Sequence, residues 1–239
     1  DAFYHLNAAN RLASGQGLTD DYLWTYIGQP ESLPAPSHLY WLPLTSISAA
    51  LGMLLFNAPG VYWAAQVPFI GMYWGLTLIG FGLGARYGTT RRHAWMAGLL
   101  TLFSGFFVRF WGSIDTFAPF ALVGAACLVT LGLMLQPGRA GRQVAVLAAL
   151  SGMLSGLGHL TRADGILLLL VGWAAVLWPF SKQGLHWRSR LLSLTLMTVT
   201  YLLVMAPWFA RNLTLIGSPL PVGGAQGIWF RQYNDIFAY

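Results

Sequence analysis

Seven stretches of the chain are almost wholly apolar, and short segments between them carry nearly all of the charge. They fall at about 39–57, 61–85, 94–111, 117–135, 144–160, 165–180 and 191–210. Each is 16 to 25 residues long, close to the ~20 a helix needs to cross ~30 Å of hydrocarbon. Apolar sequence continuous over that length predicts buried or membrane-spanning helices, since strands are shorter. The first run differs from the rest. Pro43 lies near its start, Thr45, Ser46 and Ser48 follow closely, and only Ala58-Pro59-Gly60 parts it from the next run. It reads either as a span or as a helix lying in, or re-entering, the interface. Upstream, Phe3, Leu6, Ala9 and Ala13 recur at three- to four-residue steps among polar positions. That spacing predicts a short amphipathic helix over 2–14, ended by Gly15 and Gly17.

Composition narrows the class further. Only 8% of the 239 residues are charged, against about 25% in ordinary soluble domains. The mean hydropathy is +0.58. Too little charge is present to cover a water-soluble surface. The single cysteine excludes a disulfide scaffold. The net charge of +6 comes from basic residues set singly or in pairs between apolar runs, a membrane distribution that argues against a nucleic-acid partner.

Charge also orients the chain. If 39–57 does not cross and the other six runs do, one side holds Arg86, Arg91, Arg92, Arg139, Arg142, Lys182, Arg188 and Arg190, with no acid. The other side holds Arg11, Arg109, Arg162, Arg211 and Arg231 with all seven acids: Asp1, Asp20, Asp21, Glu31, Asp115, Asp164 and Asp235. The positive-inside rule places the first group in the cytoplasm. The expected fold is therefore an all-α, polytopic membrane bundle of about six spans plus juxtamembrane helices, in the plasma membrane. It forms a single module: an outer segment 1–60, a bundle 61–210 and an outer segment 211–239. The two ends read as the edges of a piece of a longer chain.

Glycines at four-residue steps, Gly71/Gly75, Gly80/Gly84 and Gly152/Gly156, predict close helix crossings. Candidate chemistry gathers on the acidic side. Asp1 opens the amphipathic helix and Asp115 opens the helix after 94–111, so each is either an N-cap or a functional acid. Arg109 lies six residues before Asp115. His159, Arg162 and Asp164 share one short turn, where Arg162 and Asp164 either pair with each other or act on a ligand. Arg211 closes the last run, where a guanidinium suits a lipid phosphate, bulk or bound. No His, Cys and Asp spacing marks a metal site.

Taken in order, several segments resemble the GT-C glycosyltransferases that use polyprenyl-phosphate sugars, the protein mannosyltransferase and aminoarabinose transferase relatives (glycosyltransferase family 39-like). They are DAFYHLNAANRLASG, PAPSHLYWLPLTS, GARYG before a basic loop, RFWGSIDTFAPF, LTRADGILLL and PWFARNLTLIGSPLP. The resemblance implies a catalytic acid in the first outer loop, matched here by Asp1, with Asp115 as a second acid. It implies a substrate-binding surface at Tyr4, His5, His38, Arg109, Arg162, Asp164 and Arg211. His38 stands near the place of a lysine in the family's pattern. Some branches use a divalent cation and others none, so a cofactor stays open.

The implied function is inverting transfer of a sugar from a polyprenyl-phosphate donor to a protein, lipid or glycan acceptor on the extracytoplasmic face, among membrane lipids. A carboxylate would serve as base or acceptor-orienting group. Arginines, Arg211 and Arg162 foremost, would hold the donor phosphate. The competing reading is a multi-pass transporter or lipid flippase, which calls for mid-span charges and broken helices.

Overall fold

The computed structural model describes residues 1–24, 31–139, 141–178, 186–220, 231, 232 and 234. Lys182 and Asp235, both used in the charge partition, lie outside these residues, as does most of the expected outer segment after 220. The described fold is all-α apart from one small two-stranded ladder. In chain order the helices are α1 (Ala2–Ala13), α2 (Leu44–Leu55), α3 (Tyr62–Tyr87), α4 (Arg91–Leu102), α5 (Val108–Trp111), α6 (Phe117–Met134), α7 (Gly141–Thr161), α8 (Ile166–Leu177) and α9 (Trp187–Ile216). Strands β1 (Thr19–Asp20) and β2 (Ala35–Pro36) pair antiparallel, Thr19 opposite Pro36 and Asp20 opposite Ala35.

Helices α3, α6, α7 and α9 are long and apolar enough to cross a membrane. The run at 94–111 is not one straight helix. It bends by 54° between α4 and the turn and helix at Gly105–Trp111. Gly105 takes a positive φ of 63° there, which glycine adopts at little cost. The carbonyl of Leu102 at the break accepts from the Tyr73 hydroxyl, and the Trp111 indole N–H donates to Ser104 Oγ at 2.6 Å. Counted as one span, this bent pair is a fifth. The run at 165–180 supplies α8, an apolar helix shorter than a full span, and Pro179 and Phe180 lie outside the described residues.

The chain divides into two compact units, Asp1–Leu122 with Phe209–Tyr239, and Val123–Trp208. Within the first unit, α1 packs on α2 and α2 on α3. Gly52 permits the second crossing: a Cβ there would lie 2.3 Å from the Ala64 carbonyl oxygen. Ala9, Ala49, Ala50, Met53, Ala65, Phe69, Trp111, Ile114 and Ala118 form the core of this unit. At 12 residues α2 is about 18 Å long, too short to cross the bilayer, as expected for an in-plane or re-entrant helix. Gly80 and Gly84 face α4; of the first pair, Gly71 faces open space while Gly75 lies close against Leu122 of α6.

The amphipathic helix forms where expected but is rotated. Its buried residues are Tyr4, His5, Ala8 and Ala9, while Phe3 is 81% exposed. The apolar spacing missed this because two alanines let the helices approach closely and His5 gains a hydrogen bond inside. Gly15 and Gly17 end it with φ of 76° and 73°.

In the second unit, α7 crosses α9 at Gly152 and Gly156. A Cβ on Gly152 would lie 2.1 Å from the Met197 carbonyl oxygen, and Thr200 Oγ1 donates to the Ala149 carbonyl at 2.8 Å. Long apolar side chains such as Trp74, Leu78, Leu167 and Leu203 are 55% exposed or more. Such surfaces belong in lipid rather than water.

Candidate functional site

The first unit gathers polar side chains from five parts of the chain. α1 contributes Tyr4 and His5, β1 Asp20, the residues after β2 Ser37 and His38, α2 Ser46, and the end of α9 Arg211. Rings of Tyr22, Trp24, Tyr40 and Trp41 wall a small pocket that Asp20 and Tyr4 also line. The rings brace one another: Tyr4 to Trp41 and Tyr40 to Trp41 are each 4.8 Å between centroids, and Trp24 to Trp41 is 5.6 Å.

Asp20 is 8% exposed. Burial pushes its carboxyl up from 3.8 to about 6. The Tyr4 hydroxyl, on the same pocket wall, pulls it down; Asp21 pushes it up; Arg11 and Arg211 pull it down. Its Oδ1 is buried and has no partner among the described residues, as has the Trp24 indole N–H. An acceptor and a donor on one pocket wall match a hydroxyl group, which donates one hydrogen bond and accepts others.

Behind the carboxyl runs a buried polar cluster. Ser46 Oγ lies 2.9 Å from His5 Nδ1 and 2.9 Å from His38 Nε2. Ser37 Oγ lies 2.7 Å from His38 Nδ1. A serine hydroxyl has one proton, so Ser46 donates to one ring and accepts from the other. Two neutral imidazoles satisfy that pattern. Burial agrees: it pushes His5 down to about 3 and His38 well below the ordinary histidine range. The backbone N–H of His38 donates to the Tyr4 hydroxyl at 2.6 Å. Arg211 Nη2 donates to the carbonyls of Leu18 at 3.0 Å and Ser37 at 2.9 Å, the residues that flank β1 and β2.

Sequence reasoning thus named Tyr4, His5, His38 and Arg211, and the structure brings them together. His38 and Arg211 make contacts that their expected roles did not include. His38 is fully buried with both ring nitrogens bonded, so it cannot stand in for a surface lysine. The bonds of Arg211 to two carbonyls make it a clamp on the strands. Asp1 is exposed at the head of α1, with no side-chain capping bond. Asp115 Oδ1 accepts from the Thr116 N–H at 2.6 Å and from its hydroxyl at 3.3 Å, a contact with the residue just before α6 rather than with that helix's own N–H groups. Arg109 lies over Phe106 at 4.6 Å and Phe110 at 5.2 Å, on the wall of a groove with Gln66 and Trp74.

In the second unit, Arg162 and Asp164 form a two-pronged ion pair of 3.0 and 3.3 Å, the pairing alternative. His159 Nδ1 lies 2.6 Å from the Tyr201 hydroxyl.

Asp20 is the residue that sequence reading passed over. Its available signal was placement: one acid of a pair, three residues after a helix-ending glycine, before a run rich in Tyr and Trp. Among the described residues no three His, Cys, Asp or Glu side chains gather as a metal site.

Fold and site together define a helical membrane protein with a buried carboxyl in an aromatic pocket. No family model matches the sequence, and no curated protein or solved structure matches it.

Proposed function

We propose that this chain belongs to a membrane glycosyltransferase that moves a sugar from a polyprenyl-phosphate donor to a hydroxyl acceptor on the extracytoplasmic face, with inversion. The observation that carries the reading is Asp20: a carboxyl on the wall of a pocket of aromatic rings, raised by burial to about 6, with one oxygen that has no partner among the described residues. A general base works best with a pKa near the operating pH. In the proposed step the acceptor O–H gives its proton to Asp20. The acceptor oxygen attacks the anomeric carbon, and the carbon–oxygen bond to phosphate breaks. The lipid phosphate leaves with the electron pair. Asp1, exposed at the head of the helix that carries Tyr4, is left to orient the acceptor. Exposed arginines such as Arg109 suit the departing phosphate.

The bent pair at Arg91–Trp111 favours a second reading, a transporter or lipid flippase, since such proteins build sites at broken helices. One assay separates the two. The protein in membrane vesicles receives a polyprenyl-phosphate hexose labelled in the sugar. Covalent transfer with release of polyprenyl phosphate is the expected result. Passage of intact labelled lipid across the bilayer without release supports the transporter, and neither event overturns both.

A further inference from the structure

We propose that the groove between α3 and the bent pair α4–α5 is a seat for one anionic phospholipid of the bilayer, with its phosphate on Arg109 and its acyl chains along Ile70, Trp74 and Val108. The inference does not rest on the reading above, because the binding is measured without any sugar transfer.

Two walls build the groove. Tyr62, Gln66, Ile70 and Trp74 follow one another at four-residue steps on α3 and so share one helical face. Opposite them stand Leu102, Val108 and Arg109, set there by the 54° bend. Two hydrogen bonds fix the spacing of the walls. Gln66 Nε2 donates to the Gly112 carbonyl at 2.6 Å, and the Tyr73 hydroxyl donates to the Leu102 carbonyl. The space between them is about 410 Å³, within the ~300–1,000 Å³ of ligand clefts. All of these residues belong to the first unit.

The groove is cationic at one end and apolar along the rest. Arg109 is exposed, and its guanidinium lies over Phe106 at 4.6 Å and Phe110 at 5.2 Å. Among the described residues it forms no ion pair. Contact with ring faces uses none of its N–H groups, which leaves them for a two-pronged bond to phosphate. Gln66 Nε2 has a second N–H, beyond the one given to Gly112, for another phosphate oxygen. Ile70, Trp74 and Val108 are each 40% exposed or more, an apolar wall open to acyl chains.

These features select the occupant. Free phosphate would leave the apolar wall bare. A zwitterionic head brings an ammonium, and no Asp or Glu lines the groove to meet it. No His or Cys lines it either, so nothing there moves a proton and a lipid is held without being transformed. The guanidinium that the reading above offers to a departing phosphate is then shared with the bilayer.

The test is native mass spectrometry of the protein in detergent, titrated with phosphatidylglycerol, phosphatidylethanolamine, polyprenyl phosphate or inorganic phosphate. Phosphatidylglycerol should bind as a single molecule, more tightly than phosphatidylethanolamine, and inorganic phosphate should not displace it. Arg109→Gln should weaken that binding about tenfold, the loss of one charge-assisted hydrogen bond, while the unfolding temperature stays that of the parent. Arg109→Lys keeps the charge and should lose less. Arg92→Gln, at an exposed arginine of α4 outside the groove, should leave the binding as it is. Undiminished binding in Arg109→Gln, an equal loss in Arg92→Gln, equal binding of phosphatidylethanolamine, or displacement by inorganic phosphate overturns the proposal. So does Arg109-dependent binding of polyprenyl phosphate without binding of phosphatidylglycerol. The predicted lipid binding in a protein that transfers no sugar keeps the seat and refutes the function alone.

Discussion

Replacing Asp20 by Asn should stabilise the fold above neutral pH while removing activity. The structure gives the reason. The carboxyl is 8% exposed and its proton affinity is raised from 3.8 to about 6, chiefly by burial. A raised carboxylate pKa means that the folded protein holds the proton more tightly than the unfolded chain. Stability therefore falls as pH rises from about 4 to about 6 and is flat beyond. A displacement near two pH units corresponds to at most about 3 kcal/mol at pH 8, and less where solvent and Arg11 screen the charge. Asn keeps the shape but sheds the charge. The assay is thermal unfolding of the protein in detergent, followed by tryptophan emission at pH 8 and pH 4. Asp20→Asn should unfold several degrees higher than the parent at pH 8 and at the same temperature at pH 4. If Asn lowers the unfolding temperature at pH 8, the carboxylate is a favourably paired ion rather than a strained base, and the reasoning fails.

Three further outcomes follow from packing and topology. Gly52→Ala puts a methyl 2.3 Å from a backbone carbonyl, so it should destabilise the protein by about 1–3 kcal/mol, read as a lower unfolding temperature. Arg211→Lys loses the planar guanidinium whose Nη2 bridges the Leu18 and Ser37 carbonyls. It should speed limited proteolysis between residues 14 and 40, whereas an unchanged digest contradicts the clamp. A cysteine at exposed Gln16 and one at exposed Thr90 should react with a membrane-impermeant maleimide from opposite faces, and labelling from one face refutes the charge-derived orientation.

Much of the fold was legible because apolar length is a direct statement about lipid. The helices at 61–85, 117–135, 144–160 and 191–210 needed no tertiary information. The break after Leu102 was not legible. It depends on a hydroxyl from Tyr73, almost thirty residues earlier, accepting the job of a lost helical bond. The rotation of α1 was hidden for a similar reason: hydrophobic spacing ranks Phe3 above His5, yet His5 finds Ser46 and goes inside. The site was half visible. Resemblance drew attention to Tyr4, His5, His38 and Arg211 without showing that they gather in one buried polar cluster. Asp20 escaped notice because an acid in a polar loop looks solvated until a two-residue strand pair closes over it.

The most direct test compares two carboxylates in one assay: the rate of sugar transfer from a polyprenyl-phosphate hexose by Asp20→Asn and by Asp1→Asn, each in membranes. Loss of a general base costs about 10²–10⁴ in rate. That loss is predicted for Asp20→Asn, with a clearly smaller one for Asp1→Asn. Turnover in Asp20→Asn equal to that of the parent, with Asp1→Asn inactive, would contradict the account and return the base to the head of α1.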